Sequence, residues 1–280
     1  MAAHVETTDP AAVPLPRCLP PGFTADRFRV FVPRLAGVVG RENVTVIGAD
    51  MPLDDGDYQT VDCLTHDMHF LYDRGEFVGS AITFPRSAGE VQAVVSLCNE
   101  LGMPIWTVSR GHNIGYGGAA PRVPGSLVLN MGRHMNRILE VNADECWCLL
   151  EPGVSYIQLY EYLAERGLQD RLWLDSPELG FGSVIGNALD HGVGFTPYGD
   201  HWMVHCGMEV VLANGDIVRT GMGAMSSPEG RQQAREGVAP VDQKPNDHWQ
   251  LFPYGFGPIT DGLFSMSNNG IVTKMGMWVS

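Results

Sequence analysis

Two stretches of the sequence concentrate glycine where a backbone could hold a ligand. Ile105-Trp106-Thr107-Val108 runs straight into Ser109-Arg110-Gly111-His112-Asn113-Ile114-Gly115-Tyr116-Gly117-Gly118, a short apolar run opening into four glycines. Glycine lets successive backbone N–H groups turn towards one point, and so cradles an anion without needing a cationic side chain. Gly115 to Ala120 has the spacing of a dinucleotide fingerprint, but Pro121 and Pro124 stand where its helix should begin, so the context fails. Pattern alone leaves a phosphate cradle and a ligand-free turn equally open. The second stretch is Pro177-Glu178-Leu179-Gly180-Phe181-Gly182-Ser183-Val184-Ile185-Gly186-Asn187-Ala188. Two such loops, each after an apolar segment, suit an extended ligand gripped from both sides.

Other chemistry-bearing residues are less organised. His201 and His205 stand four apart, which on a helix would suit a metal, yet neither a third ligand nor an HExxH glutamate accompanies them. No metal is expected. The six cysteines form no CxxC pair and are spread over 280 residues, so they read as reduced, mostly buried thiols. With 18 basic and 32 acidic side chains the formal charge is −14, which argues against nucleic acid, since phosphate neutralisation needs clustered Lys and Arg. A 44% hydrophobic content excludes disorder of the whole chain and allows a sizeable core. Met1–Pro21 lacks an apolar signal core, and no run reaches membrane-spanning length. The chain reads as soluble and cytoplasmic, and Asn43-Val44-Thr45 as a chance sequon.

The elements that would position these loops follow from periodicity. The first twenty or so residues are a Pro-rich leader, and Pro33 should interrupt any helix over Phe28–Val39. Phe77–Phe84 reads as a strand stopped by Pro85. Ser87 with Glu90 is a capping box for a helix carrying Val91, Val94, Val95, Cys98 and Leu101, and Gly102 ends it. Ile105–Val108 completes β-α-β, which implies a parallel pair. Leu127–Leu129, Ile138–Val141 and Trp147–Leu150 are short strands, and Ser155 with Gln158 opens a second helix that leads to Gly167. Asn214-Gly215 between Met208–Ala213 and Asp216–Thr220 predicts a hairpin with a type I′ turn. Ser226–Asp247 reads as a long surface loop. The class is α+β, a parallel unit followed by mostly antiparallel sheet.

Longer motifs carry a resemblance. Thr65-His66-Asp67-Met68-His69, the run Asn113–Arg122, Met131–Val141, Glu151-Pro152-Gly153, Leu172–Ala188, Gly192–Trp202 and Leu251–Met277 resemble the flavin-dependent vanillyl-alcohol oxidase group, relatives of eugenol oxidase and the 4-cresol-oxidising flavoproteins. The resemblance covers nearly everything after about Pro33. It implies a PCMH-type FAD-binding domain of two α+β subdomains clasping the cofactor, one with a small parallel sheet and one mostly antiparallel. Residues 1–74 would be the leader and the start of the first subdomain, and 75–280 the FAD-binding domain proper.

By the same resemblance, the backbone of Thr107, Ser109, Arg110, Gly111, His112, Asn113, Gly115 and Gly117 holds the FAD pyrophosphate. Pro177, Leu179, Gly182, Ser183, Gly186 and Asn187, with Gly270, Ile271 and Val272, complete the flavin site. Tyr116 would bind the substrate phenolate, because a hydrogen bond there lowers the phenol pKa and drives hydride loss at the para carbon. Glu178 stands where these oxidases carry an aspartate near the flavin, and a carboxylate there can act as base for water adding to a quinone methide. His69 matches a histidine that assists flavin attachment. His112 stands where the vanillyl-type enzymes have arginine; in other flavoprotein branches a histidine after this glycine bonds to the flavin, so His112 is a candidate attachment site. Phe195, in place of a tyrosine of some relatives, would line the substrate pocket.

The resemblance further implies a small phenolic substrate, dioxygen or an electron-acceptor protein as oxidant, and homo-oligomers among full-length relatives. Those proteins are about twice as long, with a cap domain that is absent here. The expectation is therefore either an oxidoreductase or an FAD-binding fragment without turnover. Some relatives are peroxisomal through a C-terminal tripeptide, which Trp278-Val279-Ser280 is not.

Overall fold

The computed structural model describes residues 3–4, 10–51, 77–111, 120–177, 180–195, 199–239, 242–248, 250–255 and 257–280. The expectations placed on His69, His112, Asn113, Gly115, Tyr116, Gly117, Glu178 and Leu179 lie outside the described residues. The chain divides into two compact units, Met1–His134 and Met135–Ser280.

The first unit carries β1 (Ala3–His4), α1 (Ala25–Val39), β2 (Val44–Val46), β3 (Ala81–Thr83), α2 (Ala88–Leu101), β4 (Ile105–Val108) and β5 (Leu127–Asn130). The strands form one sheet in the order β1-β2-β3-β5-β4. β3 and β4 do flank a crossover helix, but they are not a pair: each runs parallel to β5, which lies between them. The strand over 77–84 is shorter than its apolar run, because only Ala81–Thr83 joins the ladder. Val78 O accepts from Gly125 N, and Ser80 N donates to Ser126 O, in the turn that leads to β5. β5, expected to begin the antiparallel part, belongs to this sheet, which is mixed.

α1 corrects the reading of Pro33. The helix continues through the proline for 15 residues, because Phe28, Phe31, Val32, Leu35, Ala36 and Val39 recur on one face and are all buried. Tertiary burial outweighs the loss of one helical hydrogen bond. Thr24 caps the first turn, its Oγ1 accepting from Arg27 N. In α2 the expected cap forms in part. Ser87 Oγ accepts from Glu90 N, while the Glu90 carboxylate reaches back to Arg86 N at 2.8 Å rather than to Ser87. Gly102, at φ +68°, ends the helix in the left-handed region. A bidentate pair between Arg34 and Glu100, at 2.7 and 2.6 Å, fastens α1 to α2.

The second unit carries β6 (Ile138–Asn142), β7 (Trp147–Leu150), α3 (Tyr156–Glu165), α4 (Val184–Leu189), β8 (His205–Leu212), β9 (Ile217–Arg219), α5 (Pro228–Arg235) and β10 (Gly270–Trp278). Its sheet, in the order β6-β7-β10-β8-β9, is antiparallel throughout, with the last strand in the centre. Leu150, Val154, Leu159, Leu172, Val184, Val210, Val272 and Met275 form its core.

Two local expectations change here. The hairpin over Ala213–Gly215 is a three-residue loop, not a type I′ turn. Gly215 N donates to Leu212 O (2.9 Å) and Leu212 N to Asp216 O (2.8 Å), and Gly215 alone of the Asn-Gly pair has positive φ, +91°. That is a type I turn closed by a left-handed glycine bulge. Asn214 Oδ1 instead accepts from Asp216 N. The stretch read as a long loop contains α5, whose start is Ser227 Oγ accepting from Gly230 N, with Pro228 in the first turn. No helix among the described residues is long and apolar enough to cross a membrane.

Candidate functional site

In the first unit the expected cofactor residues leave the C-terminal end of β4. Thr107 is exposed at the end of the strand, and Val108 O accepts from Met131 N at 3.1 Å. Ser109 and Arg110 then bend against the loop after β5, where Asn130 Oδ1 accepts from Gly132 N at 2.9 Å. Gly132 must be glycine: a Cβ there would lie 2.4 Å from Ser109 O. Gly111 takes φ +79°, a turn that residues with side chains resist. The strand end therefore delivers a tightly bent backbone to the glycine run, as an anion-holding loop requires.

In the second unit the candidates divide by what their side chains already do. Ser183 caps α4: its Oγ accepts from Gly186 N at 2.8 Å and donates to Pro152 O. That hydroxyl is spent on the fold. Gly180 is glycine for packing, since a Cβ would meet Ile157 at 2.8 Å. Gly270, Ile271 and Val272 pair with Leu212, Val211 and Val210 of β8. The ladder from β10 to β7 starts only at Met275, so the opposite edge of Gly270–Val272 lies outside that ladder.

Asn187 joins a buried network that the sequence did not announce. His201, 3% exposed, sets Nδ1 against Asn187 Oδ1 and, at 3.4 Å, the Tyr156 hydroxyl, which itself donates to Asn187 Oδ1 at 3.0 Å. His201 Nε2 lies 3.0 Å from Asp175 Oδ2, and the same oxygen accepts from Phe195 N at 2.9 Å. The Phe195 ring is 80% exposed. Gly192 closes the cluster: its N–H donates to Asn187 O and its carbonyl accepts from His201 N. A Cβ at Gly192 would fall 2.0 Å from the Asn187 amide oxygen. Burial pushes the Tyr156 hydroxyl well above its usual range, and the Asp175 carboxylate pushes it further.

His205 does not share the His201 face. The two histidines flank a short 3-10 turn, His201–Val204. The His205 ring stacks on Trp202 at 3.7 Å, and its Nε2 is 3.5 Å from buried Asp261. Among the described residues no group of three or more His, Cys, Asp or Glu could hold a metal ion. Beside the network a cavity of about 590 Å³ is lined by Trp147, Trp173, Leu174, Leu251, Phe252 and Trp278, with Asp175, Asp200 and His201 among its polar walls. Burial works against the Asp200 charge, but hydrogen bonds from His191 and Trp202 N–H outweigh it and hold the carboxyl below its usual range.

A family model described as an FAD binding domain matches residues 79–221, which takes in β4, the glycine run, α4 and the buried network. The chain belongs to this FAD-binding family. It is 38% identical over 261 residues to the 4-cresol dehydrogenase [hydroxylating] flavoprotein subunit of Pseudomonas putida, covering 93% of this chain and 44% of that one. Its fold is similar to that of p-cresol methylhydroxylase with substrate bound, at a TM-score of 0.77 and 36% identity, over 94% of this chain and 45% of that one. It is likewise similar to a 4-ethylphenol oxidase from Gulosibacter chungangensis in complex with isoeugenol, at 0.76 and 38%, over 94% and 44%. The α+β, PCMH-type fold and the FAD cofactor follow from these matches. The chain spans less than half the length of each of these relatives.

The residues present suit FAD. The described part of the candidate set offers backbone amides and neutral side chains rather than cations, apart from Arg110. Gly132 is fitted against the Ser109–Arg110 backbone, and Gly270–Val272 keeps an edge outside the β7 ladder.

Proposed function

We propose that the chain serves an FAD-dependent oxidation of para-substituted phenols of the 4-hydroxybenzyl or 4-allyl type. What carries this reading is the fold match over 94% of the chain, at 36% identity, to a p-cresol methylhydroxylase with substrate bound. Bound FAD would supply the acceptor for a hydride from the side-chain carbon attached para to the phenol oxygen.

The chain's own residues take the remaining roles. Thr107, Ser109, Arg110 and Gly111 begin the backbone cradle for the pyrophosphate, which His112, Asn113, Gly115 and Gly117 continue. Pro177, Leu179, Gly182, Ser183, Gly186 and Asn187 border the flavin with Gly270, Ile271 and Val272. Ser183 acts there through its backbone, since its hydroxyl caps α4. Tyr116 donates a hydrogen bond to the phenolate and favours the charged form. Glu178 accepts a proton from the water that adds at that side-chain carbon of the quinone methide. Phe195 presents an exposed ring to the substrate side. His69 assists flavin attachment, and His112 is the residue of this chain that would carry a covalent bond to it. Dioxygen or an electron-acceptor protein then removes the electrons.

The test is an absorbance spectrum of the purified chain with FAD, before and after acid precipitation, followed by an assay with 4-hydroxybenzyl alcohol. Yellow in the supernatant together with turnover supports the reading with non-covalent FAD. Yellow held in the pellet, and lost in His112→Ala, assigns attachment to His112. FAD uptake without turnover reduces the chain to a cofactor-binding fragment, and failure to take up FAD removes the enzymatic reading.

A further inference from the structure

We propose that Asp175 and His201 are positioning residues, a buried hydrogen-bonded pair that sets the flavin-side and substrate-side segments of the second unit relative to each other. The inference rests on the reading that Pro177–Asn187 borders FAD.

Two of the residues singled out from the sequence contact this pair, and a third, Pro177, lies two residues beyond Asp175. Asn187, on α4, faces His201 Nδ1 with its amide oxygen. The Phe195 N–H is bound by Asp175 Oδ2. Both Asp175 and His201 are more than nine-tenths buried, so water does not compete for these bonds.

Asp175 Oδ2 accepts from Phe195 N–H, and a carboxylate facing the ring only accepts, so His201 Nε2 is the donor to it. On the other side of the ring Nδ1 faces Asn187 Oδ1 and, at 3.4 Å, the Tyr156 hydroxyl. Replacing either member of the pair leaves a buried polar group of the other without its partner. The pair therefore ties α4 to the Gly192–Phe195 segment.

Two measurements on the full chain test this. Nitrogen-15 spectra of the histidine side chains at pH 7 should show His201 Nε2 protonated, as donation to Asp175 requires. FAD titration followed by flavin fluorescence should find Asp175→Asn and His201→Gln weakened about tenfold, with a shifted flavin absorption band, while both still melt cooperatively. A His201 without a proton on Nε2 overturns the proposal, as does Asp175→Asn binding FAD within about twofold of wild type with an unshifted spectrum. The ring measurement needs no variant, so it decides even if the substitutions unfold. A wild-type chain that takes up no FAD sinks the flavin reading instead, and the ring measurement still decides whether the pair is joined.

Discussion

Lys274 Nζ lies 2.8 Å from Glu209 Oε1 across the pairing of β10 with β8, and Glu209 has no exposed surface. From the other side Arg219 of β9 places Nη2 2.9 Å from Oε2, and the Thr273 hydroxyl donates to Oε1 at 3.1 Å. One buried carboxylate thus draws on both strands beside it. Lys274→Met leaves Arg219 in place and should cost about 1–3 kcal/mol. Removing both cations strands the charge and should cost about 3–5 kcal/mol. Urea unfolding of the two single variants and the double would check this, and strict additivity would show that the cations do not share one partner.

Gly192→Ala tests the buried network from a different position. Its Cβ would stand 2.0 Å from the Asn187 amide oxygen, so the amide must leave His201 or the loop must move. The expected cost is about 1–3 kcal/mol. FAD affinity should fall with it, whereas alanine at Gly199, where a Cβ meets nothing, should leave both unchanged.

The buried thiols should be chemically silent. Burial pushes Cys98 and Cys148 up to about 12 and raises Cys206 further. At pH 8 only about one in ten thousand of a thiol titrating near 12 is the reactive thiolate. Iodoacetamide treatment of the native chain, read by mass spectrometry, should therefore modify part-exposed Cys146 and spare these three. The sign for stability follows. In the folded state these thiols keep protons that an unfolded chain releases above about 8.5, so stability is lost as pH rises from there towards the folded values near 12. A urea midpoint that held constant over that interval would contradict the burial.

Pro33→Ala should stabilise the first unit. The proline denies the Arg29 carbonyl its helical donor, yet α1 stays helical on both sides. Restoring the N–H in a helix interior is expected to add about 1–3 kcal/mol. A lower melting temperature for this variant would mean that the ring contributes packing that outweighs the missing bond.

The elements readable from sequence were those with a cap and a period together. Ser87 and Ser155 announced their helices because a capping serine preceded buried positions three and four apart. Pro33 misled because a propensity rule was set against the burial of six residues on one face, and burial won. β5 could not be placed from its own residues, since Leu127–Leu129 is apolar at every position and fits a parallel sheet as well as an antiparallel one. The start of α5 was legible in Ser227-Pro228-Glu229, an N-cap followed by a first-turn proline, but the polar composition downstream hid it. The site divides the same way. Glycine runs marked the backbone segments, while the Asp175–His201 link joins residues 26 apart through folding alone. The four-residue spacing of His201 and His205 would suit a metal only on a helix, and the short 3-10 turn there sends one ring to Asp175 and the other onto Trp202.

The place of β10 in the second sheet has a consequence for biosynthesis. β7 and β8 meet only through β10, which is translated after every other strand of that sheet. Until Gly270–Trp278 leaves the ribosome, β6-β7 and β8-β9 are two hairpins with open edges. The first sheet, by contrast, has all the strands found among the described residues once Asn130 is made. At about 5–20 residues per second, the stretch from Asn130 to Trp278 takes roughly 7–30 s to synthesise. Through that interval the first unit can already be folded while the second waits for its central strand, so a pause or a chaperone requirement during translation should fall on the second unit.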